Sequence, residues 1–229
     1  MTTMVSVKDN FEKIQSRLAA AAEKSGRSLK DVTVLAVTKA ASIPQIQEAQ
    51  ALGLSLFGEN RIQDATPKIA ALDPGLQWHM IGHLQSNKVP EAVNLFAMIQ
   101  SVDTVRLAEK INSEAEKSNK IMPVLLEVNV SAEEQKYGFS PEEIYTAIEE
   151  ISVLESIQVL GLMGMAPNSE DPELRRAAFK KMKNIFSVCK SIKKDNIQMK
   201  HLSMGMSDDF EIAVEEGSNM VRLGRSIFK

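Results

Sequence analysis

The chain has 229 residues, 44% of them hydrophobic and 25% charged, enough to bury a sizeable core in the manner of an ordinary soluble protein. Its formal net charge of −3 provides no global basic field, so neither nucleic acid nor an anionic membrane is an expected partner. Cys189 stands alone as a cysteine, which excludes an intrachain disulfide framework and a cysteine-based zinc site.

The opening MTTMVSVKDNFEKIQ lacks the basic start and unbroken apolar core of a signal peptide, and no later segment has the length of a membrane span. A cytoplasmic protein is therefore expected. Val7, Phe11, Ile14, Leu18 and Ala21 recur at helical spacing, which predicts an amphipathic helix over roughly residues 5–26. VTVLAVTK then reads as a strand, and seven more strand-like runs follow: LSLFG, WHMIG, FAMIQSV, PVLLEVNV, QVLGLMGM, KHLSMGM and MVRLGRSIF.

Helical patterns fall between the strands, at residues 43–51, 61–71, 89–93, 104–118, 141–153, 172–193 and 209–216. The strand runs do not alternate cleanly between apolar and polar, as suits parallel strands covered on both faces. A doubly wound open sheet satisfies much of this pattern. Eight strand–helix units without a linker favour an α/β fold consisting of a single (β/α)8 TIM-type barrel with an extra N-terminal helix, one domain over residues 1–229.

In such a barrel the chemistry sits at the C-terminal ends of the strands. Lys39 ends the first strand, and an amine desolvated there would be a nucleophile toward carbonyls. The simpler alternative is a strand-end cation that reaches water. In HLSMGMSDDFEIAVEEG, Gly205 allows close backbone approach, Ser203 and Ser207 offer hydroxyls, and Asp208 with Glu211 fits a capping box. Gly224 lies between Arg222 and Arg225, and loops after the seventh and eighth strands recurrently take phosphate in these barrels. A salt bridge is the alternative role for Arg222.

The remaining signals are weaker. His79 and His83 fall on a strand and a loop without the motif of a helical zinc site. His201 reads as a core histidine, and Cys189 as a small buried hydrophobe.

In order along the chain, AVTKAAS, FGENRIQDATPKI, WHMIGHLQSNK, LLEVNVSAEEQKYGF, GLMGMAP and LSMGMSDDFEIAVEEGSNMVRLGRSIF resemble the pyridoxal phosphate homeostasis proteins, a family similar to the N-terminal barrel domain of alanine racemase. The resemblance implies that Lys39 holds pyridoxal 5′-phosphate as an internal aldimine and that Arg222 faces the pyridine nitrogen. It implies that Ser203, Gly205, Gly224 and Arg225 hold the phosphate and that Asn60 lies close to the ring. An arginine at the ring nitrogen disfavours its protonation and makes the ring a weak electron sink.

The implied role is a cofactor-binding protein of intracellular vitamin B6 homeostasis rather than an enzyme, a monomer with cofactor-requiring apoenzymes as partners. Two departures stand out. The chain carries no match to the β-rich second domain that gives alanine racemase its catalytic tyrosine, and neither Tyr137 nor Tyr145 sits in a matching motif, so racemisation is expected to lack its second acid/base group. The terminal SIFK also departs from the family's usual continuation. The alternatives are a racemase of low activity and a Schiff-base aldolase acting on a sugar phosphate.

Overall fold

The structure, a computed structural model, describes residues 6–131, 133 and 137–229. Val5 of the expected first helix, and Ala132 and residues 134–136 of the LLEVNVSAEEQKYGF segment, lie outside the described residues.

Eight strands form: β1 (Thr33–Val37), β2 (Leu56–Glu59), β3 (Gln77–Met80), β4 (Met98–Val102), β5 (Met122–Val128), β6 (Ile157–Gly164), β7 (Ile197–Ser203) and β8 (Met220–Leu223). They close into a parallel barrel in chain order, β8 pairing with β1 through Thr33 to Met220 and Leu35 to Arg222. The helices are α1 (Val7–Lys24), α2 (Ile43–Ala51), α3 (Ile62–Ala71), α4 (Val89–Leu95), α5 (Val105–Lys117), α6 (Ile144–Ile151), α7 (Pro172–Cys189), α8 (Phe210–Glu215) and α9 (Arg225–Phe228). Among the described residues, no helix is long and apolar enough to cross a membrane.

Alternation along the strands divides the apolar residues between two places. One large cluster, including Ala36, Phe57, Trp78 and Val124, fills the space between strands and helices. Leu35, Val37 and Met220, with Leu56 and Ile81, form a smaller cluster, and Met98, Leu125 and Met163 another. These two smaller clusters occupy the barrel interior, where side chains from alternate positions meet in layers.

Two corrections to the sequence reading fall at the end of the chain. MVRLGRSIF is not one strand: β8 stops at Leu223, and Arg225 begins the short helix α9. Asp208 and Glu211 do not form a capping box either. Helix α8 starts at Phe210, Asp208 pairs with Arg225, and Glu211 pairs with Arg17 of α1.

Helix α1 buries Val7, Phe11, Ile14 and Leu18, and Ser6 caps its first turn by accepting from the Asp9 N–H. It is tied to the end of the chain. The Asn10 side-chain amide donates to the carbonyls of Ile227 and Lys229 at 3.1 and 3.0 Å, and Lys24 pairs with Glu215 at 2.7 Å. The lead-in helix thus holds the elements that follow β7 and β8, which carry the glycine loops.

Gly161 shows where a backbone approach dictates the residue. Its φ is +148°, and a Cβ there would stand 1.9 Å from the carbonyl oxygen of His201. The β6–β7 register shifts between Val159 and Gly161, and only glycine lets the two strands meet across that bulge.

Candidate functional site

Four of the sequence-predicted residues lie at the C-terminal mouth, Arg222 and Ser203 buried on their strands and Lys39 and Asn60 just beyond the ends of theirs. Arg222 lies two residues beyond Met220 of the interior cluster. Asn60 continues the alternation of Leu56 and Gly58; at Gly58 a Cβ would strike the Leu35 side chain at 2.3 Å. Lys39 continues that of Leu35 and Val37, but β1 ends at Val37 and Lys39 sits in the turn that follows. Ser203 closes β7, fully buried.

Lys39 is exposed, which corrects the expectation of a desolvated amine at the strand end. Thr38 takes the buried position instead, with no exposed surface. No carboxylate or hydrogen-bond acceptor among the described residues engages the Lys39 ammonium. Its backbone is nevertheless anchored from behind. The Lys68 Nζ donates to the Thr38 carbonyl at 2.7 Å and to Glu59 Oε1 at 2.6 Å, and the Thr38 hydroxyl donates to the same Oε1 at 2.6 Å.

Glu59 is wholly buried and its Oε2 has no partner, so Lys68 carries most of the compensation for that charge. Lys68→Met is expected to destabilise the fold by about 3–5 kcal/mol, because a buried carboxylate would lose its cation. A denaturant midpoint lowered at unchanged slope checks this.

Arg222 is 5% exposed and crosses the interior. Its Nη1 donates to the Ser203 carbonyl and hydroxyl at 2.8 and 2.9 Å, and its Nη2 to the Gly164 carbonyl at 3.0 Å. No carboxylate among the described residues grips it directly, so the salt-bridge alternative is not what they contain. Burial lowers its pKa to about 10, with Glu127 and Asp209 opposing.

Ser203 in turn donates to Gln100 Oε1 at 2.7 Å, and Gln100 donates through Nε2 to His79 Nδ1 at 2.9 Å. Burial takes the His79 pKa down to about 3, and His201 adds to that, so the ring is neutral and its Nδ1 accepts. A hydrogen-bonded belt thus runs from β3 through β4 and β7 to β8.

The glycine loops sit above this belt. Gly205 has φ +94° and its Cβ would come within 2.5 Å of the Ala213 Cβ, so β7 turns tightly onto α8. A Cβ on Gly224 would stand 3.1 Å from the Val37 carbonyl oxygen, which brings the β8 loop against the end of β1. Ser203 offers its hydroxyl to the interior. The hydroxyls that face each other between the loops belong to Ser207 and Ser226, 3.1 Å apart, and Ser226 N–H donates to Ser207 Oγ. Arg225 is exposed and paired with Asp208, which joins the two loops.

Asn60 lies apart from those loops, at a cavity of about 590 Å³ that it shares with Arg61, Gly82, His83, Gln85 and Lys88. A Cβ on Gly82 would stand 2.4 Å from the Asn60 carbonyl oxygen, so glycine there lets the loops after β2 and β3 pass. His83 Nδ1 lies 2.9 Å from Asp103 Oδ2, and the Tyr137 ring stacks on the imidazole with centroids 3.6 Å apart.

Glu127 is the residue sequence reasoning missed. It faces the interior two positions beyond Leu125, and burial pushes its pKa up to about 7, with Arg222 opposing and Asp103 adding. A single acid inside the apolar run PVLLEVNV was the available signal. Cys189 is buried and its thiol is pushed up to about 11 by burial, in keeping with an inert core residue. No group of three or more metal-ligating side chains forms among the described residues.

A parallel barrel whose mouth collects a lysine, an interior arginine and two glycine loops has known counterparts. Residues 9–229 match the alanine racemase N-terminal domain family. A pyridoxal phosphate homeostasis protein of Aquifex aeolicus is 38% identical over 221 residues, covering 96% of each chain. Among solved structures, PipY of Synechococcus elongatus with PLP bound is 32% identical, with a TM-score of 0.82 over 94% of this chain and 100% of that one. A Bifidobacterium adolescentis protein of unknown function is 34% identical, with a TM-score of 0.93 over 97% and 94% of the two chains. The chain belongs to the pyridoxal phosphate homeostasis proteins, within the alanine racemase N-terminal domain family.

Proposed function

We propose that residues 1–229 form one binding domain for pyridoxal 5′-phosphate, linked covalently through Lys39, and that the protein buffers or delivers this cofactor as a monomer rather than turning over a substrate. The observation that carries the reading is an exposed lysine, without a partner among the described residues, in the turn after β1 at the same mouth as a buried arginine and two glycine loops. The relatives are named for homeostasis, and PipY was solved with PLP bound.

The residues suit each part of such a ligand. The cofactor would supply an aldehyde, which an amine side chain can hold covalently. Lys39 provides that amine. Its backbone is held in place by the Thr38–Glu59–Lys68 cluster behind it. Ser207, Ser226 and the backbone around Gly205 and Gly224 suit a phosphate, since tight glycine turns turn N–H groups toward an anion. Arg222, fixed by Ser203 and Gly164, keeps a positive charge at the interior end of the site and suits a ring nitrogen that stays unprotonated. Asn60 and Arg225 flank the mouth on either side of Lys39.

Titration of the purified protein with pyridoxal 5′-phosphate is expected to produce a visible band that saturates at one cofactor per chain. Pyridoxamine 5′-phosphate, which lacks the aldehyde, is expected to leave that band absent. A spectrum that merely adds protein and free ligand at every ratio would sink the reading.

A further inference from the structure

The belt and the loops leave Glu127 without a task, and its surroundings are unusual for an acid. Only 5% of it is exposed, yet no donor among the described residues hydrogen-bonds its carboxyl. Arg222 approaches from β8 but directs its donors to Ser203 and Gly164, and Asp209 is a second carboxyl within that arginine's electrostatic reach. From the β4 end comes a second negative group, Asp103, whose oxygen is already engaged by His83 under the Tyr137 ring. On β6 the residue in register is Met163, which carries no charge. A carboxylate buried there without a donor is costly, and so is a carboxylic acid with no acceptor for its proton. Either way the described residues supply the group no hydrogen-bond partner, and its oxygens, not fully enclosed, are left for one from outside the protein.

We propose that Glu127 is a further ligand-binding residue of the barrel mouth, acting as a neutral carboxylic acid that donates a hydrogen bond to an anionic ring ligand held at Lys39. The proposal rests on the pyridoxal 5′-phosphate reading above. Strands β1 and β5 lie opposite each other in an eight-stranded barrel closed in chain order, so Lys39 and Glu127 face the ligand space from two sides. A ligand bearing phosphate and a ring oxygen repels a carboxylate but accepts from an acid, and only the protonated form can donate. Burial already holds the group near the point of half-protonation, at about 7.

The sign follows from linkage. Binding favours protonated Glu127, so the Glu127 carboxylate takes up a proton from solvent when the ligand binds, wherever the free group is ionised. Affinity then declines as pH rises through the carboxyl's transition, by up to about tenfold for each pH unit above it. Glu127→Gln keeps the shape and a donor but cannot ionise.

The experiment measures pyridoxal 5′-phosphate affinity of the wild-type protein and of Glu127→Gln in matched buffers, so that ionisations common to both cancel in the ratio. Relative to the variant, the wild-type protein is expected to weaken by about tenfold or more between about pH 6 and about pH 8.5. A ratio constant across that range overturns the proposal and leaves the cofactor reading intact. If neither protein binds at any pH, the cofactor reading fails and this one with it.

Thermal midpoints of the ligand-free proteins guard against a folding artefact. A carboxyl whose pKa is raised by folding costs stability as pH rises from the ordinary carboxylate range toward about 7. Glu127→Gln is therefore expected to gain stability over wild type at about pH 8 and to gain less at about pH 5. A gain equal at both values would mean that Glu127 does not titrate there, and would count against the proposal.

Discussion

Lys39→Ala is expected to abolish the covalent linkage to pyridoxal 5′-phosphate, and with it the visible band, while leaving the fold intact. The side chain is exposed and makes no hydrogen bond or ion pair among the described residues, so little stability goes with it. Surface substitutions of that kind fall within about 0.5 kcal/mol. Another lysine is poorly placed to take over. Lys68, the closest in the site by its hydrogen bond to the Thr38 carbonyl, is tied to the buried Glu59 on the outer side of the strands. The variant should therefore retain at most a weaker, non-covalent association through the phosphate loops. Absorption of the cofactor complex and a thermal melt, run together, separate loss of the linkage from loss of the fold.

Arg222→Ala is expected to act on both. The guanidinium spans three strands, and its removal leaves the Ser203 and Gly164 carbonyls without their donor inside the barrel. Glu127 loses the one cation that offsets its burial, and Asp209 loses one of its two, Arg175 remaining. Breaking a buried charged network of this kind costs about 3–5 kcal/mol. Arg222→Lys should recover little of it, because an ammonium cannot reproduce a planar fork that reaches β6 and β7 at once. For the cofactor, the linkage through Lys39 should persist, but the band should shift and affinity should fall, since the charge proposed to face the ring is gone. Chemical denaturation reads the first effect and the visible spectrum the second. A variant as stable as wild type, with an unchanged band, would mean that Arg222 plays neither part.

Much of the barrel was legible because its strands are short, apolar and regularly interrupted. VTVLAV, LSLFG and WHMIG each stop at a polar or glycine residue, and helix α2 begins and ends where its pattern says. What failed to show in the sequence depends on long-range geometry. The break at Gly224 was hidden because RSIF is as apolar as a strand end, and only its contact with Val37 and the capture of α9 by Asn10 reveal the helix. Asp208 and Glu211 have the spacing of a capping box, yet Arg225 and Arg17, distant along the chain, claim them.

The site divides the same way. Lys39 and Arg222 stand out as charges at the ends of apolar runs. The belt from His79 through Gln100 to Ser203 joins residues on three strands, the last two 103 positions apart, and no local pattern announces it. Ser203 drew attention as a hydroxyl beside a glycine; the structure turns that hydroxyl inward to Arg222 and leaves Ser207 and Ser226 between the loops. Glu127 was overlooked because one acid in a strand reads as a solvent-facing position, whereas a barrel gives that position an interior face.

The most direct measurement is borohydride reduction of the protein mixed with pyridoxal 5′-phosphate, followed by proteolysis and mass spectrometry of the peptides. A single adduct on the peptide that carries Lys39, formed in step with loss of the visible band, is the predicted result. No adduct, or adducts scattered over other lysines with Lys39 unmodified, would contradict the assignment of the barrel mouth as the cofactor site.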